Sequence, residues 1–277
     1  MSSIVSTSPT KKVFKHLFVY GTLKTGYTNY NRYLRYAKQL GRATLVGPAI
    51  TKGKYAMVLR PPNRLPNTRG PVLMKKHQED ETNWHHIQGE LWKVDEITIK
   101  ALDILEGVND GNKYYHENIQ VIYPYKNNSD YSHNNDGKII DNCTCYFYTT
   151  TGTDDELFKI TPLLKSYDDN EHNKYIAPKD VNKEILKTIY NDTISCQRCR
   201  RKYVKEYNDK DSCRHHSESF AGETKQRWQL PGDTDGSAEI HFFYSCCGNY
   251  DKDSEGCHVS RHVSYDEDDT ILYKEYD

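Results

Sequence analysis

Apolar positions along the chain fall in short clusters separated by turn signals. Clusters at residues 17–20, 43–46, 55–59, 86–93, 119–123 and 144–149 are rich in Val, Ile, Leu, Tyr and Phe and read as β-strands. From Asn29 to about Tyr36 the period changes: Tyr30, Tyr33, Leu34 and Ala37 recur at helical spacing. A second helix begins at Asp95, a favoured N-cap, sets Ile97, Ala101, Ile104 and Leu105 on one side, and stops at Gly107, suited to the C′ position. A third is expected within 163–190, after SYDDNEHNKYIAPKD, with Asp180 as its cap. Residues 61–81 and 126–142 (KNNSDYSHNNDGKIIDN) read as loops. Many short strands with few helices predict a small β-barrel decorated by helices, not a βαβ sheet.

Composition adjusts this picture in two ways. Mean hydropathy is low, −0.90, but 23 tyrosines supply amphipathic core volume that a hydropathy scale under-counts. The cysteines are segregated: Cys143 and Cys145 lie in the first part and the other six between Cys196 and Cys257, which places a domain boundary near Asn191 and Asp192. The expected organisation is a disordered tail at 1–12, a domain at 13–190 and a second at 191–277. A net charge of −1 gives no global pull towards nucleic acid or membrane. No apolar run approaches the length of a membrane span, and MSSIVSTSPTKK lacks the apolar segment of a secretory signal. A cytoplasmic setting is therefore expected, in which paired cysteines more often hold metal than form disulfides.

Two features carry candidate chemistry in the first domain. The run HLFVYGTLKTG (16–26) breaks at Tyr20-Gly21-Thr22-Leu23, where Gly21 would allow a positive φ and let successive N–H groups converge on one spot. The helix in GELWKVDEITIKALDILEG (89–107) ends on Glu106, where the helix terminus and apolar neighbours Leu102, Ile104 and Leu105 would raise a carboxyl pKa towards that of a general base. Spacing alone favours the plainer reading of an exposed Glu on a last turn, and a strand ending in Gly is common. Cys143 and Cys145 share one strand face; they read as small core residues, with a metal or redox pair as the alternative.

These segments resemble the γ-glutamylcyclotransferase-like proteins, especially the γ-glutamylamine cyclotransferase (AIG2-like) branch. A strand running into Tyr-Gly-Thr-Leu, a Gly-Glu-aromatic strand leading to a helix that ends in Glu, a Tyr soon after it (Tyr115) and a late Tyr175-Ile176-Ala177-Pro178 occur in the family's order from about His16 to about Lys179. Tyr55-Ala56-Met57-Val58 with Gly70-Pro71-Val72-Leu73 fits the same branch. Where the family often has Arg two residues after the Tyr, this chain has Glu117. The resemblance implies an α+β fold built on a small mixed β-barrel with flanking helices. It also implies release of 5-oxoproline and a free amine from γ-glutamyl amines or peptides such as γ-glutamyl-ε-lysine, without an organic cofactor. Glu106 would be the general acid/base, and Tyr20, Gly21, Thr22, Leu23 and Tyr115 would bind the small γ-glutamyl substrate. The competing class is a non-catalytic adaptor with an inert barrel.

In the second domain spacing is the argument. Cys196-x-x-Cys199, Cys213-x-x-His216, Cys246-Cys247, Cys257 and His262 are eight ligands, enough for two tetrahedral structural zinc sites. A segment so short of aliphatic residues needs metal to be stable; disulfides are the alternative. The pattern, with Tyr207-Asn208, Phe220 and Gly256-Cys257 in order, resembles the CHORD cysteine- and histidine-rich domain, which implies docking to a protein partner. It departs from that family in placing Trp228 well before Cys246, and His215 and His258 are rival ligands. The basic run from Arg198 to Lys202 reads as a solvated face, offset by the acidic DEDD at 266–269, so a nucleic-acid partner is disfavoured.

Overall fold

Strand β1 (Lys15–Val19) is apolar at consecutive positions because both of its faces are covered. Phe18 points into the barrel interior, while Leu17 is paired with Trp92, whose ring meets Tyr30 of the first helical segment at 6.0 Å. In the computed structural model, residues 13–60, 70–75, 84–108, 114–125, 137–149, 162–224 and 240–267 are described. The expected tail at 1–12, Trp228 and most of the 126–142 insert lie outside these residues. The chain divides into two compact units, Met1–Asn191 and Asp192–Asp277.

The first unit is a closed mixed barrel. β2 (Ala43–Leu59) pairs with β4 (His85–Val94), β4 with β1, β1 in parallel with β6 (Lys138–Tyr148), β6 with β5 (Tyr114–Tyr123), and β5 returns to β2. Strand β3 (Pro71–Met74) extends β2 outside the closed ring. Phe18, Met57, Ile87, Leu91, Val121 and Phe147 fill the interior with Cys143 and Cys145, so the two cysteines are core residues.

Three expectations about these strands are corrected. The clusters at 43–46 and 55–59 belong to one strand, β2, continued through irregularities after Leu45 and Ile50. There Thr51 Oγ1 donates to Gly53 O and accepts from Ile87 N, satisfying backbone groups that the irregular ladder leaves over. The stretch 61–81, read as loop, contributes β3. Residues 138–142, also read as loop, open β6, where pairing with β5 outweighs their polar composition.

The helices hold more closely to expectation. A π-turn (Tyr30–Leu34) leads into α1 (Arg35–Gln39), and Tyr30, Tyr33, Leu34 and Ala37 are all buried. α2 (Glu96–Glu106) starts at Asp95 and ends at Gly107 in the left-handed conformation. Its buried face is Thr98, Ile99, Ala101 and Leu102, however, rotated from the expected stripe. The last helices are α3 (Asp169–His172) and α4 (Lys183–Ile189), and α4 is capped by Asn182, not Asp180.

Asp95 does more than cap. Its Oδ1 accepts from Thr98 N at 2.8 Å, and its Oδ2 takes Arg42 Nη1 at 2.8 Å. Arg42 is 2% exposed and also donates to Asn191 O. Replacing Asp95 with Ala strips the cap and leaves a buried guanidinium without its counter-ion. The expected cost is about 3–5 kcal/mol, read from the urea midpoint; a loss below about 1 kcal/mol would contradict this account of the pair.

Among the described residues, the second unit has three small strand pairs: β7 (Thr193–Ser195) with β8 (Lys202–Val204), β9 (Cys213–His215) with β12 (His258–Ser260), and β10 (Phe220–Thr224) with β11 (Ile240–Tyr244). Its described buried cluster is Cys196, Tyr203 and Cys213, with Ile194 and Cys199 packed against it.

Candidate active site and metal centres

At the end of β1 the chain turns sharply: Lys24 N donates to Gly21 O, and Thr22 O accepts from Asn29 N and Tyr30 N. Asn29 Nδ2 holds Thr22 Oγ1 at 2.8 Å, and Glu90 Oε2 receives Thr25 N and Oγ1, both at 3.0 Å. The loop is thus fixed by side chains from the first helical segment and from β4. Gly21 is not at positive φ, contrary to expectation. Glycine is required there for space, since a Cβ would stand 2.5 Å from Cγ of Pro71.

Gly21, Thr22 and Leu23 are all buried. Among the described residues, none of their three N–H groups donates to a protein acceptor. Buried backbone donors are nearly always satisfied. Three in succession are left able to donate to an oxyanion or carboxylate.

Glu106 closes α2 next to Gly107. The residue is half-buried, and desolvation pushes its carboxyl up to about 7; Arg60 opposes the rise and Asp103 adds to it. Tyr20, Tyr114, Cys145, Tyr146 and Tyr175 all feel the charge of Glu106. Tyr20 donates to Tyr146 O at 3.0 Å, which fixes its hydroxyl in the interior. Tyr146 in turn donates to Asp103 Oδ1 at 2.8 Å, and His116 Nδ1 lies 2.9 Å from the same oxygen.

Tyr20, the residue before Gly21, therefore stands in the field of Glu106. Tyr115 lies on the other side of its strand from Tyr114: it stacks on Phe147 at 5.8 Å, and its charged neighbours are Glu117 and Lys75. Those acting on Tyr114 are Arg60 and Glu106. Glu117 forms an ion pair with Lys75. Sequence reasoning missed Arg60 and Tyr114. Strand parity held a signal for both, because Arg60 alternates in phase with Ala56 and Val58, on the face where Tyr114 and Tyr148 pack.

In the second unit, Cys196, Cys199, Cys213 and His262 form one cluster and His216, Cys246, Cys247 and Cys257 another. Within each, the candidate donor atoms lie within 4.8 Å of one another. Individual separations include 3.8 Å for Cys196 Sγ to Cys213 Sγ, 3.4 Å for Cys199 Sγ to His262 Nδ1, and 3.5 Å from Cys246 Sγ to both His216 Nδ1 and Cys257 Sγ. A tetrahedron of zinc–sulfur bonds has an edge of about 3.8 Å, so both donor sets fit zinc in size and softness. All eight cysteines are free thiols.

Supporting contacts hold the histidines. Asn208 and His262 exchange reciprocal hydrogen bonds, and Tyr203 stacks on the His262 ring at 4.7 Å. Tyr244 stacks on His216 at 3.5 Å, and Ser254 Oγ meets His216 Nε2 at 3.3 Å. The rivals fall outside both sets: His215 Nδ1 stands 3.7 Å from Cys213 Sγ, and His258 Nε2 meets Ser217.

A family model described as Gamma-glutamyl cyclotransferase, AIG2-like matches residues 17–168. A Methanocaldococcus jannaschii protein, provisionally named gamma-glutamylcyclotransferase, is 32% identical over 108 residues, 39% of this chain and 72% of that protein. A Drosophila melanogaster protein with the same provisional name is 34% identical over 111 residues, 40% of this chain and 62% of its own length. Among solved structures, an AIG2-like protein of Mus musculus aligns over 60% of this chain and 98% of its own, with 23% identity and a TM-score of 0.43.

Proposed function

The chain belongs to the gamma-glutamyl cyclotransferase, AIG2-like family, and from that membership we propose that its first unit cyclises γ-glutamyl amines or peptides, γ-glutamyl-ε-lysine among them. The products are 5-oxoproline and a free amine. The observation that carries this reading is the row of three buried N–H groups at Gly21, Thr22 and Leu23 that meet no protein acceptor among the described residues, with burial pushing the Glu106 carboxyl up to about 7.

Glu106 takes a proton from the substrate's α-ammonium. The freed amine forms a bond to the γ-carbonyl carbon, and the carbonyl oxygen becomes an oxyanion held by the loop N–H groups. When the intermediate collapses, the bond from that carbon to the leaving nitrogen breaks, Glu106 returns its proton to the departing amine, and the second proton of the ring nitrogen is also lost and leaves with the released amine as ammonium. Nucleophile and electrophile belong to one molecule, so the protein's task is to hold the folded conformer. Tyr20, which stands in the field of Glu106, lines the pocket. Because the loop donors are not occupied by a side chain among the described residues, an active barrel is favoured over an inert one.

The test is 5-oxoproline release from γ-glutamyl-ε-lysine, γ-glutamyl dipeptides and glutathione. A base must be ionised to work, so the rate should rise as pH passes up through about 7, the value to which burial moves Glu106. No release from folded protein on either side of that pH would overturn the reading.

For the second unit we propose two structural zinc ions in a CHORD-like module that docks a protein partner. Each set fills four positions with protein donors, which supports a structural and not a catalytic role. Phe242, Tyr250 and Tyr265 are each more than half exposed, in keeping with a contact surface. We keep the cytoplasmic assignment as part of the same proposal; no helix among the described residues is long and apolar enough to cross a membrane.

A further inference from the structure

Arg60 follows directly on β2, and its backbone N–H donates to Gly70 O at 3.0 Å. The neighbouring residue, Pro71, pairs with Leu59 across the β2–β3 ladder and packs against Gly21. The side chain of Arg60 therefore starts at the same end of the barrel as the loop donors. Its Nη2 donates to Tyr114 Oη at 3.0 Å, and its guanidinium lies 4.9 Å from the Tyr148 ring centroid and 5.8 Å from that of Tyr114. Among the described residues it forms no ion pair with a carboxylate. A half-buried guanidinium held by phenol and ring faces keeps its full charge and most of its five donors for another partner.

The reacting end of a γ-glutamyl substrate carries three polar groups. The ammonium needs a base and the γ-carbonyl needs oxyanion donors; Glu106 and the Gly21–Leu23 loop match these. The third, the α-carboxylate, needs a cation with paired donors. Lys24, whose Nζ donates to Tyr167 O, is committed elsewhere. Resting on the cyclotransferase reading, we propose that Arg60 binds the substrate's α-carboxylate and so restricts the enzyme to γ-glutamyl compounds whose α-carboxyl is free. A guanidinium suits this task because its planar fork matches a carboxylate bidentately. The same contact aligns the α-carbon and turns the amine towards Glu106.

The experiment compares two substrates on the full-length, zinc-loaded protein. One is γ-glutamyl-ε-lysine; the other is the matching 4-aminobutanoyl amide, which has the same amine and carbonyl but no α-carboxylate. Wild type should prefer the first in kcat/KM on the order of 10²-fold, the scale of a charge-assisted pair. In Arg60→Leu that preference should collapse towards unity, mainly through KM for the carboxylated substrate, and Arg60→Lys should restore part of it. Retention of the wild-type preference in Arg60→Leu, with both substrates slowed alike, would overturn the role of Arg60 and reduce it to a support for Tyr114 and Tyr148. A wild type that releases neither 5-oxoproline nor 2-pyrrolidinone would instead remove the cyclotransferase reading, and this inference with it. Circular dichroism and zinc content of both variants separate these outcomes from misfolding.

Discussion

Glu106→Gln should lower 5-oxoproline release from γ-glutamyl-ε-lysine by at least about 10²-fold, the usual contribution of a positioned general base. The substituted amide has the size of the carboxyl but cannot accept the ammonium's proton or return it to the leaving amine. The fold should tolerate the change. Desolvation already raises the Glu106 carboxyl to about 7, so the surroundings accept a neutral group there. The loss should therefore fall on kcat, with the thermal midpoint held. The rise in rate through pH of about 7 expected of wild type should also vanish from whatever activity remains. A variant that keeps both its rate and its pH profile would show that another group moves the proton.

The zinc prediction concerns stability. Purified protein should carry two zinc ions per chain, one for each Cys/His cluster. Structural zinc contributes about 10–16 kcal/mol in small domains at neutral pH. The described buried cluster of the second unit is little more than Tyr203 with cysteines, far too small to replace that contribution. Chelation should therefore unfold this unit, read as loss of its hydrogen-exchange protection by peptide. Cys196→Ser should lower the zinc content to one ion. Cys143→Ser, a change inside the barrel core, should leave it at two. Native protein without metal, or with its thiols joined as disulfides, would sink the assignment.

How far the site was legible from sequence differs from residue to residue. Helix α2 was readable at both ends, because an Asp N-cap and a left-handed Gly are local requirements of any helix terminus. Its buried face was not, because neighbouring strands and helices decide which side turns inward. The two halves of β2 were legible as apolar clusters, but their union was not, since ladder pairing with β4 carries the strand through irregular positions that look like turns. β3 was hidden in a Pro-, Asn- and charge-rich stretch and owes its strand state to β2. Gly21 was singled out correctly for the wrong physical reason: the constraint is Pro71, fifty positions away, and not a dihedral angle.

The chain by itself determined that there is a Tyr-Gly-Thr-Leu loop, a helix closing on Glu106, and eight Cys and His residues spaced for two four-donor sets. These follow from local chemistry: caps, glycine, ligand type and short spacings. Only the tertiary structure decided that Tyr114, with Arg60, stands in the field of Glu106, and that Cys196, Cys199 and Cys213 gather with His262 while His216 joins Cys246, Cys247 and Cys257. Those juxtapositions depend on barrel closure, ladder register and strand pairing between segments distant in the chain, and a one-residue slip in register would send each side chain to the opposite face.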